Sequence, residues 1–440
     1  MDAIATYFRF GERGTDLWTE VRAGVTTFLV MAYILFLNPA IIAGPLGLDP
    51  GAVSAGTALV AGVMTIAMGV VGNYPFAIAA GLGLNAAVAF SLPALGLTPE
   101  GAMGVIVLEG VAIAILVVVG FREAVMNAVP LGLKRSIGVG IGLFILFIGF
   151  VDGGLITTGI PIVSFVFPTT PSHWVFLAGL GITIALWSRK IKGALIISIV
   201  ATSVVALLAG VTTVPSGFSV TNISFATLGN FDVTNVWSLG AVAAVLVIFS
   251  IMLSDFFDTM GTVTGVAAEA GLTAPDGSVP NIGPVLLVDS LAAVVGGAAG
   301  VSSNTTYIES AAGVGDGGRT GFTSVVTGAL FLLAIVLSPL AALIPSAATA
   351  PALVLVGYLM FMQIREVDPT DFEIGFPALL TITVMPLTYS ITNGIGAGFV
   401  AWTVIQVAKG KWGQIHWLMW VVSIAFAIYF IQEWLKPFIT

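Results

Sequence analysis

Residues 300–310 read Gly-Val-Ser-Ser-Asn-Thr-Thr-Tyr-Ile-Glu-Ser, a polar stretch that places a carboxylate, Glu309, between two apolar segments. The whole chain is 58% hydrophobic and only 8% charged. A carboxylate at bilayer depth costs roughly 2.5 to 3.5 kcal/mol on the insertion scale, so it marks a candidate functional site. All fourteen Lys and Arg residues lie between apolar segments or at their edges. Glu309 must therefore be neutralised by a proton, a cation or a polar substrate, and not by a salt bridge.

The apolar runs predict a polytopic, all-α membrane protein. Mean hydropathy is +1.09, and the runs are close to the length of about 20 residues that a membrane-spanning helix needs. Segments between them are too short for a separate soluble domain, so residues 1–440 form one transmembrane domain. The runs are 21–43, 52–72, 76–92, 101–120, 133–151, 172–188, 193–211, 238–266, 281–299, 303–316, 320–343, 348–363, 371–390, 392–408 and 416–435.

Composition excludes several classes of function. The net charge of −8 argues against a nucleic-acid partner, because phosphate binding needs a clustered basic face. The absence of Cys excludes disulfides, thiolate metal sites and thiol nucleophiles. We expect no metal and no cofactor. Residues 1–19 lack the pattern of a cleaved signal peptide.

The basic residues predict the orientation in the membrane. With a cytoplasmic N-terminus, all Lys and Arg residues up to Lys411, Arg122 among them, fall on the cytoplasmic side, and only Lys436 falls outside. We therefore expect a multi-pass protein of the cell inner membrane with its N-terminus in the cytoplasm. Whether residues 416–435 cross the membrane is left open by this charge pattern.

The spans divide into two halves. Seven precede the polar segment 212–237 and seven follow it, which predicts a first repeat at 1–211, an inverted second repeat at 238–408 and an apolar extension at 409–440. The third member of each half is short and interrupted, by Ala79-Ala80-Gly81-Leu82-Gly83-Leu84-Asn85 in the first half and by the stretch around Glu309 in the second. Paired interrupted spans in inverted repeats predict a transporter with its site at the membrane midplane.

Several motifs, in order, resemble the adenine, guanine and hypoxanthine permeases of the nucleobase transporter superfamily, over about Thr15 to Gly398. They are Gly83–Ala86, Lys134–Gly138, Gly140–Phe144, Phe256–Thr262, Asn304–Val314 and Gly317–Gly321. The resemblance implies a seven-plus-seven inverted repeat with core and gate domains, and proton-coupled purine uptake. It also implies that Asn85, Asp255 and Glu309 line the purine site, with Asp258 a helical turn from Asp255. Related uracil carriers place a His where this chain has Thr259, so a proton relay here cannot use that imidazole.

We expect the substrate to contact Gly83, Asn85, Asp255, Thr305, Thr306, Tyr307 and Glu309. Proton coupling is expected at Asp255, Asp258 or Glu309, and we assign coupling to Asp255 and base binding to Glu309. Asp255 and Asp258 share a helix face, so ionising both is disfavoured. The alternatives are that Glu309 caps a half-helix and that Asn85 joins two helices. Asp289 and Glu109 are expected to be structural, and His173 and His416 to lie at the membrane interface.

The sequence thus predicts a proton-coupled purine base carrier working by alternating access. Its rivals are an inorganic-anion carrier of the same architecture, a uracil or xanthine carrier, an ion channel and, more distantly, an intramembrane aspartyl protease built on Gly313-Val314-Gly315-Asp316. The expected partners are a purine base, H⁺ with Na⁺ as the alternative ion, the lipid bilayer and, as an open option, a second copy in a homodimer. The preferred purine is not determined.

Overall fold

The computed structural model describes residues 2–120, 129–159, 162–214, 219, 221–274 and 278–439, with side chains described up to residue 431. Within these ranges, every predicted apolar run is helical or, at 76–92 and 303–316, a short strand followed by helix. Observed and predicted ends agree within about four residues. Arg122 and the side chain of Lys436 lie outside the described part.

The helices differ in length and regularity. In the described residues, eight are long and apolar enough to cross a membrane by length and composition alone. Turns of π-helix follow α5 at Met68–Gly72 and α6 at Ala87–Ser91, and 3₁₀ segments occupy Asn235–Leu239, Ala334–Leu343, Met362–Glu366 and Trp412–Gln414. The α-helices are α1 Asp2–Tyr7, α2 Phe10–Arg13, α3 Leu17–Met31, α4 Ile34–Leu46, α5 Pro50–Ala67, α6 Leu82–Ala86, α7 Leu92–Ala94, α8 Pro99–Val118, α9 Leu131–Asp152, α10 Pro171–Ser188, α11 Ala194–Leu208, α12 Ala241–Glu269, α13 Ile282–Ala298, α14 Ser310–Gly315, α15 Gly321–Leu333, α16 Ser346–Phe361, α17 Phe372–Thr388, α18 Ile391–Ala408 and α19 Trp417–Ile439.

The two interrupted spans meet through a buried pair of strands. Strand β1 (Ile78–Ala80) runs antiparallel to β4 (Asn304–Thr306), with Ala79 opposite Thr305. A second pair, β2 (Ile156–Thr158) and β3 (Val163–Phe165), forms a hairpin between α9 and α10. Each interrupted span therefore has the same order, a strand and then a short helix, and the two copies cross at their strands.

Side chains satisfy the remaining backbone groups of this crossing. Thr65 accepts from the Ile78 N–H at 2.9 Å, Ser310 accepts from the Ala77 N–H at 2.9 Å, and Asp289 accepts from the Thr306 N–H at 2.8 Å. Extended backbone inside a bilayer is tolerated only where its polar groups are paired within the protein. These contacts fit the structural role that we expect for Asp289.

The helices pack as two bundles. The core bundle consists of α3, α5, α8, α12, α13 and α15, which pack on one another around the β1–β4 pair. The gate bundle consists of α9, α10, α11, α16, α17 and α18. A cavity between the bundles ends at the strand pair, which places the non-helical backbone at the head of the cavity.

Basic residues from distant parts of the chain meet at one end of the molecule. Arg13 donates to the carbonyl of Arg319 at 2.7 Å, Arg22 donates to the carbonyl of Asp316 at 2.8 Å, and Lys192 donates to the Asp316 carboxylate at 2.6 Å. Hydrogen bonds from Lys192 and Thr26 hold the pKa of Asp316 below its usual value. Basic residues that the charge pattern assigns to one side of the membrane thus also meet at one end of the fold, and the orientation of that end stays a prediction.

Candidate functional site

The cavity between the bundles has a volume of about 460 Å³. Its core-bundle wall is formed by the two interrupted spans, by α12 and by the start of α4. Its gate-bundle wall is formed by the first turns of α9 and the end of α16. The cavity lining includes Tyr33, Gly83, Asp258, Thr305, Thr306, Tyr307 and Glu309 on one wall, and Lys134, Arg135, Ile141, Met360, Gln363 and Glu366 on the other.

Glu309 lies in the cavity wall immediately before α14. Its side chain makes no capping hydrogen bond to that helix, so the helix-cap alternative is not observed. Instead, the Tyr33 hydroxyl donates to Glu309 Oε1 at 2.6 Å. Tyr33 is only 1% exposed and sits where the first span breaks between α3 and α4. One carboxylate oxygen is thus held by the protein, while the side chain as a whole still borders the cavity.

The residues before Glu309 line the cavity, but their polar groups already have partners. Thr305 and Thr259 share a hydrogen bond of 2.6 Å between their hydroxyls, and the Thr306 hydroxyl donates to Asp289 at 2.7 Å. The Tyr307 hydroxyl donates to the Ala80 carbonyl. These hydrogen bonds stabilise the crossing, and the three residues form part of the cavity wall.

The structure separates Asp258 from Asp255. Asp258 lines the cavity, whereas Asp255 is 1% exposed and lies behind the wall, where it contacts Ser303. Residues three apart on a helix are about 60° apart around its axis, which is enough to turn one acid towards the cavity and the other into the core bundle. Asp255 and Asp258, which the sequence predicts on one helix face, therefore lie in two different environments.

Asn85 is also behind the wall. It is fully buried, and neither atom of its amide has a hydrogen-bond partner in the described residues. The alternative role, an interhelical hydrogen bond, is thus not observed either. A buried amide without partners costs about 1 to 3 kcal/mol, which is unusual unless the group has a partner in another state.

Gly83, in the cavity wall, allows a close approach between α6 and the gate-bundle helix α9. A Cβ at this position would lie 2.5 Å from Ile141 Cγ2 on α9. Real Cβ atoms do not come so close to a neighbouring carbon, so any larger residue would separate α6 from α9 or move Ile141. Gly83 contributes backbone and close packing to the site.

Two basic residues line the cavity, which sequence reasoning did not anticipate. Arg135 forms an ion pair with Glu366 at 2.7 Å, and Lys134 lies over the Phe257 ring at 5.4 Å from its centre. Both are in the first turns of α9, far along the chain from the acids. The cavity lining therefore carries charges of both signs, the basic ones from α9 and the acids Glu309 and Asp258 from the core bundle.

Sequence reasoning also missed Tyr33 and Gln363. Tyr33 is the one residue with a hydroxyl in the apolar stretch 28–37 of the first span, five residues before Asn38-Pro39. This single hydroxyl close to a proline was the available signal. Gln363 is the last polar residue before the charged end of its span, and nothing in the sequence distinguishes it from a residue at the membrane surface. His173 and His416 lie at the ends of α10 and α19, away from the cavity lining.

Two crossed interrupted spans, with a cavity between a core and a gate bundle, define a polytopic membrane transporter. Comparison with known proteins gives the family. The model of a permease family, Xan_ur_permease, matches residues 19–397. The guanine/hypoxanthine permease PbuG of Bacillus subtilis strain 168 is 38% identical over 97% of this chain and 99% of its own length. The adenine permease AdeQ of Escherichia coli strain K12 is 39% identical over 97% of this chain and 95% of its own.

This chain belongs to that permease family, whose curated members are named as transporters rather than enzymes. Among solved structures, the transmembrane domain of the cyanobacterial bicarbonate transporter BicA matches with a TM-score of 0.63. It covers 86% of this chain and 97% of that domain at 14% identity. A likeness at this identity shows a shared fold and confirms the predicted fold class, but it does not show what the chain carries. The boundaries of the two repeats stay a prediction.

Proposed function

We propose that this protein imports purine nucleobases by proton symport with alternating access. The observation that carries the proposal is the cavity at the strand crossing, whose interior combines a half-held carboxylate, Glu309, with the ring of Tyr307 and the carboxyl of Asp258. The names of the relatives, guanine/hypoxanthine and adenine permeases, agree with this substrate class.

The chemistry of the cavity suits a flat, neutral heterocycle. Glu309 keeps an oxygen available to accept from ring N–H groups, while aromatic rings such as that of Tyr307 offer a face for stacking. A neutral base leaves the bilayer no net charge to solvate. The volume of about 460 Å³ is within the size of small-molecule sites, roughly 300 to 1,000 Å³.

An inorganic-anion carrier is the second candidate, because Lys134 and Arg135 line the cavity and the fold is that of BicA. Two contacts weigh against it. Arg135 is already paired with Glu366, and the cavity lining also carries the two acids Asp258 and Glu309. These carboxyls disfavour a bound anion, so a neutral base is favoured.

The protease alternative depends on Asp316, and its surroundings oppose it. Lys192 holds both oxygens of the Asp316 carboxylate at 2.6 Å, and Thr26 donates to it at 2.5 Å. An acid that is already ion-paired at the end of the molecule is poorly placed to activate water inside a membrane.

We assign base binding to Glu309 and coupling to Asp255, since Glu309 borders the cavity and Asp255 lies behind it. The assignment is tested in proteoliposomes with an imposed pH gradient. Asp255→Asn should lose accumulation of purine while keeping purine-for-purine exchange, because an amide cannot titrate. Glu309→Gln should raise the Kd and reduce exchange and accumulation together. If both variants still concentrate purine, coupling through these carboxylates is wrong.

The substrate class is tested by uptake of radiolabelled hypoxanthine in cells that lack their own purine permeases. Competition with unlabelled adenine, guanine, xanthine, uracil and bicarbonate separates the purine carrier from its rivals. Inhibition by purines alone supports the proposal. Inhibition by bicarbonate, or no uptake of any base, would overturn it.

A further inference from the structure

A second buried polar cluster lies behind the cavity, in the core bundle. The Ser303 hydroxyl is 3.0 Å from Glu109 Oε1 on α8 and 3.1 Å from Asp255 Oδ2 on α12. Glu109 and Ser303 are fully buried and Asp255 is 1% exposed. None of the three borders the cavity. Two acids from different helices therefore converge on one hydroxyl in the interior of the protein.

No basic side chain pairs with these acids among the described residues, where neither Glu109 nor Asp255 takes part in an ion pair. The charged groups that act on them are other acids, Asp289 towards both and Asp258 towards Asp255. A hydroxyl has one proton to donate, so Ser303 can satisfy only one of the two carboxyls at a time. The remaining oxygens, Glu109 Oε2 and Asp255 Oδ1, have no hydrogen-bond partner in the part of the chain that the structure describes.

A proton is the species that completes this arrangement. A proton on one acid lets that acid donate to the Ser303 oxygen while the Ser303 hydroxyl donates to the other acid, so both contacts, at 3.0 and 3.1 Å, become hydrogen bonds. Two buried carboxylates that share one hydroxyl disfavour ionisation of both, and their protons come off in steps that belong to the pair.

The pair is mechanically connected to the cavity. Ser303 directly precedes β4, and its carbonyl accepts from the Gly81 N–H at 2.8 Å, which ties it to the other interrupted span. Two residues further on, Thr305 is in the cavity wall. If a bound base displaces Thr305, the movement will therefore reach the hydroxyl that Glu109 and Asp255 share.

We propose that Glu109 is the second half of the proton-coupling group, so that Glu109 and Asp255 jointly bind the one proton that travels with each substrate. The proton binds from one side of the membrane onto the pair and leaves from the pair to the other side, and the neutral base moves with it. This inference rests on the proposed proton symport. It gives Glu109, for which we expected a structural role, a part in energy coupling without contact with the substrate.

The test uses Glu109→Gln in proteoliposomes that contain a pH-sensitive dye. We expect exchange of labelled for unlabelled purine to be retained, while accumulation driven by the pH gradient and proton entry on adding purine are both lost. Glu109→Asp, which can still titrate, should recover part of the proton entry. Asp152→Asn is the matched control, because Asp152 is a partly buried acid at the far end of α9 that contacts none of these groups, and it should stay coupled.

If Glu109→Gln still accumulates purine and takes up protons like the wild type, the inference is wrong and the proposed function is unaffected. Wild-type protein that fails to accumulate purine in a pH gradient, or that needs a Na⁺ gradient, would overturn proton symport itself. If Glu109→Gln does not fold, infrared difference spectra of Glu309→Gln with ¹³C-labelled Glu decide the question, because this variant removes the labelled acid that borders the cavity. A carboxylic-acid band from labelled Glu that changes on adding saturating purine supports the shared proton, and its absence rejects it.

Discussion

The Tyr33 hydroxyl and Glu309 Oε1 are 2.6 Å apart, and this hydrogen bond joins the break in the first span to the interruption in the tenth. Both residues lie where a helix is broken, Tyr33 between α3 and α4 and Glu309 between β4 and α14. The bond fixes one oxygen of the carboxylate and so restricts the orientation of the carboxyl group beside the cavity. Tyr33 is in this sense a positioning residue for the acid to which we assign base binding.

Tyr33→Phe should therefore weaken purine binding while leaving the ring in place. A hydrogen bond to a charged group contributes about 1.5 to 3 kcal/mol, so we expect the KM for purine to rise by roughly tenfold or more. The control is Tyr74→Phe, whose hydroxyl donates to the Pro280 carbonyl away from the cavity and should leave KM unchanged. Equal KM values for every base in Tyr33→Phe and the wild type would contradict a positioning role.

Asn85→Ala should reduce transport with little loss of stability, because the buried amide has no partner to lose. If the Asn85 amide hydrogen-bonds the base or the strand crossing in another state, the variant loses the contribution of that hydrogen bond, about 0.5 to 1.5 kcal/mol. Transport should fall accordingly. Asn38→Ala is the contrasting variant. Its amide donates to Thr57 at 2.8 Å and to the Val301 carbonyl at 3.1 Å, so its removal should lower Tm clearly. An Asn85→Ala protein with a lower Tm and unchanged KM would make Asn85 structural.

Gly83→Ala should impair transport, because the new methyl would meet Ile141 Cγ2 at 2.5 Å. Overpacking of this kind costs about 1 to 3 kcal/mol. In a double-mutant cycle, Gly83→Ala should reduce activity less in the Ile141→Ala background than in the wild type, because the shorter side chain leaves room for the methyl group. Gly181→Ala is the control, since nothing lies within 4 Å of its added Cβ. Full activity of Gly83→Ala would show that α6 and α9 can separate here without consequence.

Arg135, Lys192, Arg319 and Arg365 should all be cytoplasmic, as the one-sided distribution of basic residues predicts. The chain has no Cys, so single-Cys variants can be labelled without a background. In sealed cells a membrane-impermeant maleimide should leave all four unlabelled until the cells are opened. Labelling of any two from outside would reject this orientation.

Lys192→Ala should lower stability slightly, and only above acidic pH. Hydrogen bonds from Lys192 and then Thr26 lower the pKa of Asp316 from its ordinary value of 3.8. A group with a lowered folded-state pKa stabilises the protein above its unfolded-state pKa, and the contribution is lost as the pH falls through the folded-state value. The side chains are 57% and 23% exposed, so the effect should be below about 1 kcal/mol.

The measurement is Tm against pH for the wild type, Lys192→Ala and Arg189→Ala, an exposed neighbour at the end of α10. The difference between the wild type and Lys192→Ala should be present at neutral pH and vanish in acid. A difference that persists at the lowest pH would show that Lys192 contributes through packing and not through its charge.

The sequence by itself determined the fold class, the positions of the spans and the two interrupted segments. These are local properties, because apolar runs of about 20 residues and the cost of polar groups in lipid are read from neighbouring residues. The same local reasoning identified Glu309 and placed Thr305, Thr306 and Tyr307 beside it, since they share one interrupted segment.

Only the tertiary structure decided which polar groups meet. Asp255 and Asp258 are three residues apart, yet the packing of α12 turns one towards Ser303 and the other towards the cavity. Tyr33 reaches Glu309, and Ser303 reaches Glu109, across hundreds of residues. These contacts depend on how each helix is rotated and how the strands cross, and a pattern along one chain segment contains no information on the rotation of its neighbours.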